Sequence, residues 1–261
     1  MADVEPAKEK SGKKSDLGVR TVSAVVMLAV AGAALWLGGA VWTAFVCAVA
    51  LGVLWEWVRL SRAAMGDPMH RGLMNFAGMF YIGVGAAMLL FLRNPAFSLG
   101  PVLTVLAMVI GVDVGAYFTG RTLGGPKIAP SISPSKTWSG LLGGILGATL
   151  VLFGAARFWQ EGMISILVQG NAADGPACLG SHPCWYLTAD PLPLFGSCLL
   201  TGVFVAVCAQ AGDFFESWLK RRAGVKDSGN FIPGHGGFFD RADGLLAVLF
   251  LLALMILLQP R

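Results

Sequence analysis

Residues 213–243 read DFFESWLKRRAGVKDSGNFIPGHGGFFDRAD, and long apolar runs flank this polar segment on both sides. Charged side chains placed there lie at a membrane edge or in a cleft between helices, where they are costly unless they serve a function. If the preceding helix continues into the segment, Asp213, Glu216, Ser217 and Lys220 share one of its faces. The segment therefore predicts a polar site at the end of a membrane helix.

The second half of the segment predicts a turn followed by a last helix. Residues 233–237 read PGHGG, and they cannot continue a helix cheaply because Pro lacks a backbone donor and Gly loses backbone entropy. Asp240 and Asp243 then form an i, i+3 pair where the final apolar run begins. We expect the turn to bring its backbone close to another group.

Composition identifies an integral membrane protein. Of the 261 residues, 56% are hydrophobic and 13% charged, with a mean hydropathy of +0.70, whereas soluble domains carry about 25% charged residues. The net charge of +4 is too small to indicate nucleic-acid binding. We predict an all-α, polytopic bundle of about seven transmembrane helices, or eight or nine if re-entrant segments such as 163–168 exist. The apolar runs are residues 21–39, 40–58, 72–92, 98–118, 138–156, 194–212 and 244–258.

Basic residues predict the orientation of this bundle. With a cytoplasmic N-terminus, 16 of the 19 Lys and Arg residues fall on the cytoplasmic side, as short cytoplasmic loops require. Residues 1–20 are polar and predict a disordered cytoplasmic tail. We expect residues 21–261 to form one membrane domain, with a catalytic C-terminal portion at about 110–244.

Acidic residues are predicted to meet at one depth on the inner side. Carboxylates facing a cleft are the usual oxygen ligands of Mg²⁺, with substrate phosphates completing the coordination shell. We therefore predict a divalent-metal site, with room for a second cation. Its candidate ligands are Asp213, Asp240, Glu216 and Asp243, with Asp113 and Glu56 as weaker candidates.

A second polar stretch, SISPSKTWSG at residues 131–140, predicts a phosphate-binding turn. Pro134 and its neighbouring Ser residues favour a turn, and we expect Lys136 and Thr137 to open the next helix. Free backbone N–H groups at a helix start favour phosphate. The stretch lacks the GxxxxGK[ST] spacing of a Walker A loop.

The spacing S-x2-KR-x4-KD-x5-P-x-HGG-x2-DR-x-D, from Ser217 to Asp243, resembles the signature of the phosphatidate cytidylyltransferases (CDP-diacylglycerol synthases). The SP-x-KT element from Ser133 to Thr137 is similar to a second element of that family. The resemblance covers about residues 113–144 and 210–243. It implies an inner-membrane enzyme of phospholipid biosynthesis that uses Mg²⁺ to join CTP and phosphatidate, giving CDP-diacylglycerol and pyrophosphate.

The resemblance also implies roles for the matching residues. Those expected to be catalytic are Asp213, Asp240, Lys226 and Asp243. Those expected to bind substrate are Ser133, Lys136, Thr137, Ser217, Lys220, Arg221, Asp227, His235, Gly236, Gly237 and Arg241. One departure concerns position 139, which is Ser where related proteins commonly carry Glu, so a metal or nucleotide contact there is in doubt.

Two alternative functions remain open at this point. A CTP-dependent lipid kinase of the polyprenol or phytol type could use similar acids for γ-phosphoryl transfer. A transporter would also place charges inside a helix bundle, but paired repeats with broken helices are expected for it. The sequence leaves open acyl-chain preference, CTP against dCTP, the number of metal ions and whether the chain forms a homodimer.

The predicted topology can be tested through Cys178 and Cys184, which lie in the loop at 158–190. We expect this loop to face the outside, where an oxidising compartment would permit a disulfide. An impermeant thiol reagent should therefore label Cys178 and Cys184 on intact cells. If the two residues form a disulfide, labelling should appear once a reductant has been added. Labelling that appears only after the reagent is given access to the cytoplasmic face would show that the predicted orientation is wrong.

Overall fold

Seven α-helices and one small β-hairpin make up the part of the chain that the computed structural model describes, residues 11–94, 99–158, 191–234 and 236–258. The strands pair antiparallel between the fourth and fifth helices. In chain order the elements are α1 (Ser11–Leu37), α2 (Gly39–Ala64), α3 (Pro68–Leu92), α4 (Gly100–Thr122), β1 (Lys127–Ala129), β2 (Ser133–Thr137), α5 (Trp138–Phe158), α6 (Pro191–Arg222) and α7 (Phe239–Leu257).

Six of these helices, all except α7, are long and apolar enough to cross a membrane. Helix α7 differs because Asp240, Arg241 and Asp243 lie in its first two turns. It begins at Phe239, in agreement with the expectation that the last run starts among these acids. Apart from the small β-hairpin, the chain is thus the all-α, polytopic membrane protein predicted. The re-entrant segment proposed at 163–168 lies outside the described residues.

The first helix begins earlier than its apolar run. It starts at Ser11, so residues 11–20 belong to α1 rather than to a disordered tail. A helix already nucleated by an apolar segment gains one hydrogen bond for each residue added, which accounts for the extension. Residues 1–10 lie outside the described part of the chain.

The sixth helix also extends beyond its apolar run. It continues past residue 212 to Arg222, so Asp213, Glu216 and Lys220 do share a helical face. Its 32 residues rise about 48 Å at the ordinary α-helical pitch, whereas a hydrocarbon core is roughly 30 Å thick. The polar last turns of α6 therefore project beyond the apolar part of the bundle.

Helices α4 and α5 pack with their backbones in direct contact. A Cβ atom added at Gly115 would overlap the carbonyl oxygen of Gly143, and one added at Gly147 would overlap that of Gly111. Small residues allow this close approach in a membrane bundle. The glycine-rich face of α5 is therefore a packing face, and it fixes the two helices that carry the β-hairpin.

Trp57 joins four helices on the polar side of the bundle. It is 2% exposed, and its indole N–H donates to the carbonyl oxygen of Met74 on α3 at 3.0 Å. Its ring lies 5.4 Å from that of Phe215 on α6 and 5.5 Å from that of Phe239 on α7. This aromatic contact fixes α2 against the two helices that carry the acidic residues.

The glycine packing predicts a position-specific loss of stability. Gly147→Ala should destabilise the protein by about 1–3 kcal/mol, the usual cost of overpacking a core, because the new methyl group meets the backbone of α4. Gly154→Ala is the matched control on the same helix, since nothing lies within 4 Å of its added Cβ. Thermal unfolding in detergent, monitored by size-exclusion chromatography, should give a lower midpoint for Gly147→Ala than for Gly154→Ala. Equal midpoints would contradict the packing of α4 against α5.

Candidate active site

A cavity of about 250 Å³ lies between α4, α6, α7 and the β-hairpin. Its apolar wall includes Val109, Ala209 and Leu245, one from each of the three helices. Opposite charges concentrate in the same small space. The charged residues that line it are Asp113, Lys136, Asp213, Asp240, Arg241 and Asp243.

Three carboxylates meet beside this cavity. One oxygen from each of Asp213, Glu216 and Asp243 can be chosen so that all three lie within 4.8 Å of one another. Glu216 is 1% exposed, and its Oε1 has no hydrogen-bond partner within the described residues. Close carboxylates repel when water is excluded, and hard divalent cations prefer oxygen ligands. This donor set fits Mg²⁺.

Lys220 lies between two of the acids and connects α6 to α7. Its Nζ is 2.6 Å from Glu216 Oε2 and 2.6 Å from Asp240 Oδ1, and the Lys220 side chain is 14% exposed. A charge buried to this extent requires partners. In the structure Lys220 therefore neutralises acids, and its expected phosphate contact stays a prediction.

Asp240 is held by partners of its own in addition to Lys220. Its Oδ2 accepts hydrogen bonds from the backbone N–H of Ser228 at 2.9 Å and the N–H of Gly237 at 2.8 Å, and the hydroxyl oxygen of Ser228 lies 2.9 Å away. Gly236 has φ +83, and a Cβ there would lie 2.7 Å from Asp240 Oδ2. The glycines of the turn thus allow the backbone to surround this carboxylate. Asp240 as a metal ligand stays a prediction.

The β-hairpin brings Lys136 to the acids. Its Nζ forms an ion pair with Asp213, although the two residues are far apart in sequence. Lys136 and Thr137 end strand β2 and do not open α5, which begins at Trp138; the expected helix start is therefore wrong by one to two residues. The hydroxyl of Thr137 instead accepts the N–H of Gly140 at 3.1 Å and caps the helix.

Position 139 has a structural explanation. The Ser139 hydroxyl donates to the carbonyl oxygen of Gly124 and lies 3.1 Å from the Thr137 hydroxyl. It thereby fastens the base of the hairpin between α4 and α5. In this chain the short hydroxyl side chain of Ser139 holds the loop. A carboxylate at the same position would face the carbonyl oxygen of Gly124.

Glu56 does not belong to the three-carboxylate group found in the described part of the chain. It is 0% exposed and accepts hydrogen bonds from the start of α7 and from Ser228. Asp113, the other weaker candidate, lines the cavity beside Lys136 and Asp213. The structure thus brings Asp113 to the predicted site and assigns Glu56 to its support.

Five other predicted residues do not line the cavity. Ser133 and Ser217 are half-buried, and Arg221, Lys226 and Asp227 are exposed. His235 lies outside the described residues. Their expected substrate contacts stay predictions.

Three residues that the sequence interpretation overlooked belong to this region. Ser228 bridges Glu56 and Asp240, and Arg59 donates from α2 to the Ser228 carbonyl oxygen. Gln210 lines the cavity one helical turn before Asp213. The i, i+3 spacing of Gln210 and Asp213 was the available signal, whereas the contacts of Ser228 depend on the tertiary fold.

Comparison with known proteins agrees with this geometry. A model of the cytidylyltransferase family matches residues 18–74 and 66–259. The chain belongs to the cytidylyltransferase family. Membership makes it an enzyme, a nucleotidyltransferase, and decides against the transporter alternative.

Several curated relatives of this cytidylyltransferase bear the name phosphatidate cytidylyltransferase. That of Brucella suis biovar 1 (strain 1330) is 30% identical, with 92% of this chain and 93% of the relative covered. That of Rickettsia bellii (strain RML369-C) is 34% identical over 91% of this chain and 89% of the relative. That of Bacillus subtilis (strain 168) is 37% identical over 70% of this chain and 58% of the relative.

The carboxylates predict the outcome of charge removal. Asp213→Asn and Asp240→Asn should each lower kcat roughly 100-fold or more, the scale on which lost charge stabilisation acts, because an amide has almost the same volume but no charge. Nucleotidyl transfer by purified, correctly folded variants is the measurement. Glu161→Gln, in the predicted outer loop, should retain full activity. Unchanged turnover in either Asp variant would remove that residue from the site.

Proposed function

We propose that this cytidylyltransferase transfers CMP from CTP to phosphatidate, giving CDP-diacylglycerol and pyrophosphate. The observation that carries the proposal is the cavity in which acids from α6 and α7 meet Lys136 and Arg241. Its location at the polar ends of membrane helices suits a reaction between a water-soluble nucleotide and a lipid headgroup. The name that the relatives share, phosphatidate cytidylyltransferase, supports the choice of phosphatidate as acceptor.

Phosphate repulsion is the main obstacle to this reaction, and the site offers two means of reducing it. Asp213, Glu216 and Asp243 would hold Mg²⁺. When bound, the ion neutralises the charge of the triphosphate and of the leaving pyrophosphate. Lys136 and Arg241, which line the same cavity, would bind phosphate oxygens as charged hydrogen-bond donors.

Lys136 forms its ion pair with Asp213 where the cation would also bind. Lys136 lines the cavity, so its ammonium group can turn from Asp213 to an incoming phosphate there. Lys220 is placed differently, because it contacts Glu216 and Asp240 simultaneously. We therefore assign Lys136 to substrate binding and Lys220 to holding the two acids in place.

The chemical step needs no covalent intermediate with the protein. An oxygen of the phosphatidate phosphate attacks the α-phosphorus of CTP and forms the new P–O–P bond. The bond from the α-phosphorus to the bridging oxygen breaks, and pyrophosphate leaves with that electron pair. Because an ionised phosphate is already a nucleophile, Ser217 serves as a hydrogen-bonding residue.

The orientation and the membrane follow from the same proposal. CTP arrives from the cytosol, so the polar ends of α4, α6 and α7 face the cytoplasm and the N-terminus lies on that side. The distribution of Lys and Arg supports this orientation. We place the protein in the cytoplasmic (inner) membrane, in agreement with its bacterial relatives.

CTP labelled at a single phosphate tests the proposed reaction. Purified protein in detergent should be incubated with Mg²⁺, phosphatidate and CTP labelled at either the α- or the γ-phosphate. Attack at the α-phosphorus should place α-label in the lipid, while γ-label leaves as pyrophosphate. Chelation by EDTA should abolish the transfer, and excess Mg²⁺ should restore it.

Each alternative gives a different distribution of label. A CTP-dependent lipid kinase would place γ-label in the lipid and no α-label. A covalent mechanism would leave α-label on the denatured polypeptide. The Asp213→Asn protein is the matched control for contaminating enzymes, because it should be folded and inactive.

A further inference from the structure

Glu56 is a fully buried acid whose carboxylate is surrounded by hydrogen-bond donors. The N–H groups of Phe238 and Phe239 donate to it at 3.0 and 2.8 Å, and the hydroxyl of Ser228 lies 2.8 Å from its Oε2. The first N–H groups of a helix lack partners inside the helix. Glu56 therefore caps α7 from a different helix, and its negative charge suits that helix end.

The loop before α7 is shaped to admit this carboxylate. Cβ atoms added at Gly229 and Gly237 would both overlap the carboxylate oxygens of Glu56. Both glycines are buried and have ordinary backbone angles, since neither is among the residues with positive φ. They are required here for space, which the Glu56 carboxylate occupies beside both glycines and the Ser228 hydroxyl also occupies beside Gly237.

Ser228 connects Glu56 to the active site. Its hydroxyl lies 2.8 Å from Glu56 Oε2 and 2.9 Å from Asp240 Oδ2, so one hydroxyl contacts both carboxylates. Its N–H donates to Asp240 as well, and Arg59, one turn after Glu56, holds its carbonyl oxygen. A shift of the Glu56 carboxylate would therefore move the groups that orient Asp240.

We infer that Glu56 is a positioning residue of the transferase reaction, which acts through Ser228 and the start of α7 to hold Asp240 in place. The inference rests on the proposed function, because Asp240 belongs to the proposed site. Glu56 itself does not line the cavity, so it is not a catalytic residue. Its role requires a carboxylate: an amide would direct its NH₂ group at one of the donors and leave buried donors facing each other.

Two variants with one matched control test this role. Glu56→Gln changes the carboxylate, and Ser228→Ala removes only the bridging hydroxyl while the backbone bonds to Glu56 and Asp240 remain. The control is Asp67→Asn, which alters an acid that also caps a helix, since the Asp67 side chain accepts the N–H of His70 at 3.0 Å at the start of α3.

We expect kcat to fall about 10- to 100-fold in Glu56→Gln and Ser228→Ala, the usual effect of losing a residue that orients an active-site ligand. The KM values for CTP and phosphatidate should stay unchanged, because neither residue contacts substrate. The double variant should lose no more than the more severe single variant, since both act along one route. Amide hydrogen exchange at residues 237–239 should become faster in Glu56→Gln and stay unchanged in Asp67→Asn.

The outcomes separate this inference from the proposed function. If the wild-type protein fails to transfer α-label, the function is wrong. If the wild type is active and Ser228→Ala keeps its kcat, the positioning route is wrong, even where Glu56→Gln does not fold. Losses that multiply in the double variant, or a raised KM with an unchanged kcat, would also overturn the inference.

Discussion

The pairing of buried charges between α6 and α7 determines the geometry of the site. Lys220 lies between Glu216 and Asp240, and none of the three could be buried alone without a large desolvation cost. Because the pair of contacts joins two helices, it also fixes their relative register. That register brings Asp243 of α7 to the face of α6 that carries Asp213.

Other parts of the fold support this pair of helices. The β-hairpin supplies Lys136 from outside, and its two flanking helices are locked together by backbone contact at the glycines of α4 and α5. Helix α2 supports α7 from the other side, with Trp57 packing against Phe239 and the neighbouring Glu56 capping the helix. Apolar packing and hydrogen bonding thus position the same helix start.

Much of this arrangement could be predicted from the sequence, because local spacing carries the information. The shared face of Asp213, Glu216 and Lys220 follows from helical periodicity, and the turn at Pro233 and Gly234 follows from the Pro and Gly content of the segment. The all-helical membrane fold follows from the apolar runs. The signature from Ser217 to Asp243 indicated the family, which the comparisons confirm.

The contacts that depend on distant parts of the chain could not be predicted. Glu56 and Ser228 are separated by 172 positions, so no spacing rule relates them, and Glu56 could be grouped with the other acids only by its depth. Lys136 was expected at a helix start because the residues before it favour a turn. The structure places it in a strand instead, because β2 pairs with β1, and local sequence does not predict that pairing.

The contact between α4 and α5 has a consequence for the hydrophobic part of the substrate. Where Gly111 and Gly115 meet Gly147 and Gly143, even a methyl group would overlap the opposite backbone. A space that excludes a methyl group also excludes an acyl chain, so this seam is closed to lipid along its packed length. The diacylated substrate of the proposed reaction must therefore reach the acids across an edge of the cavity other than the α4–α5 seam.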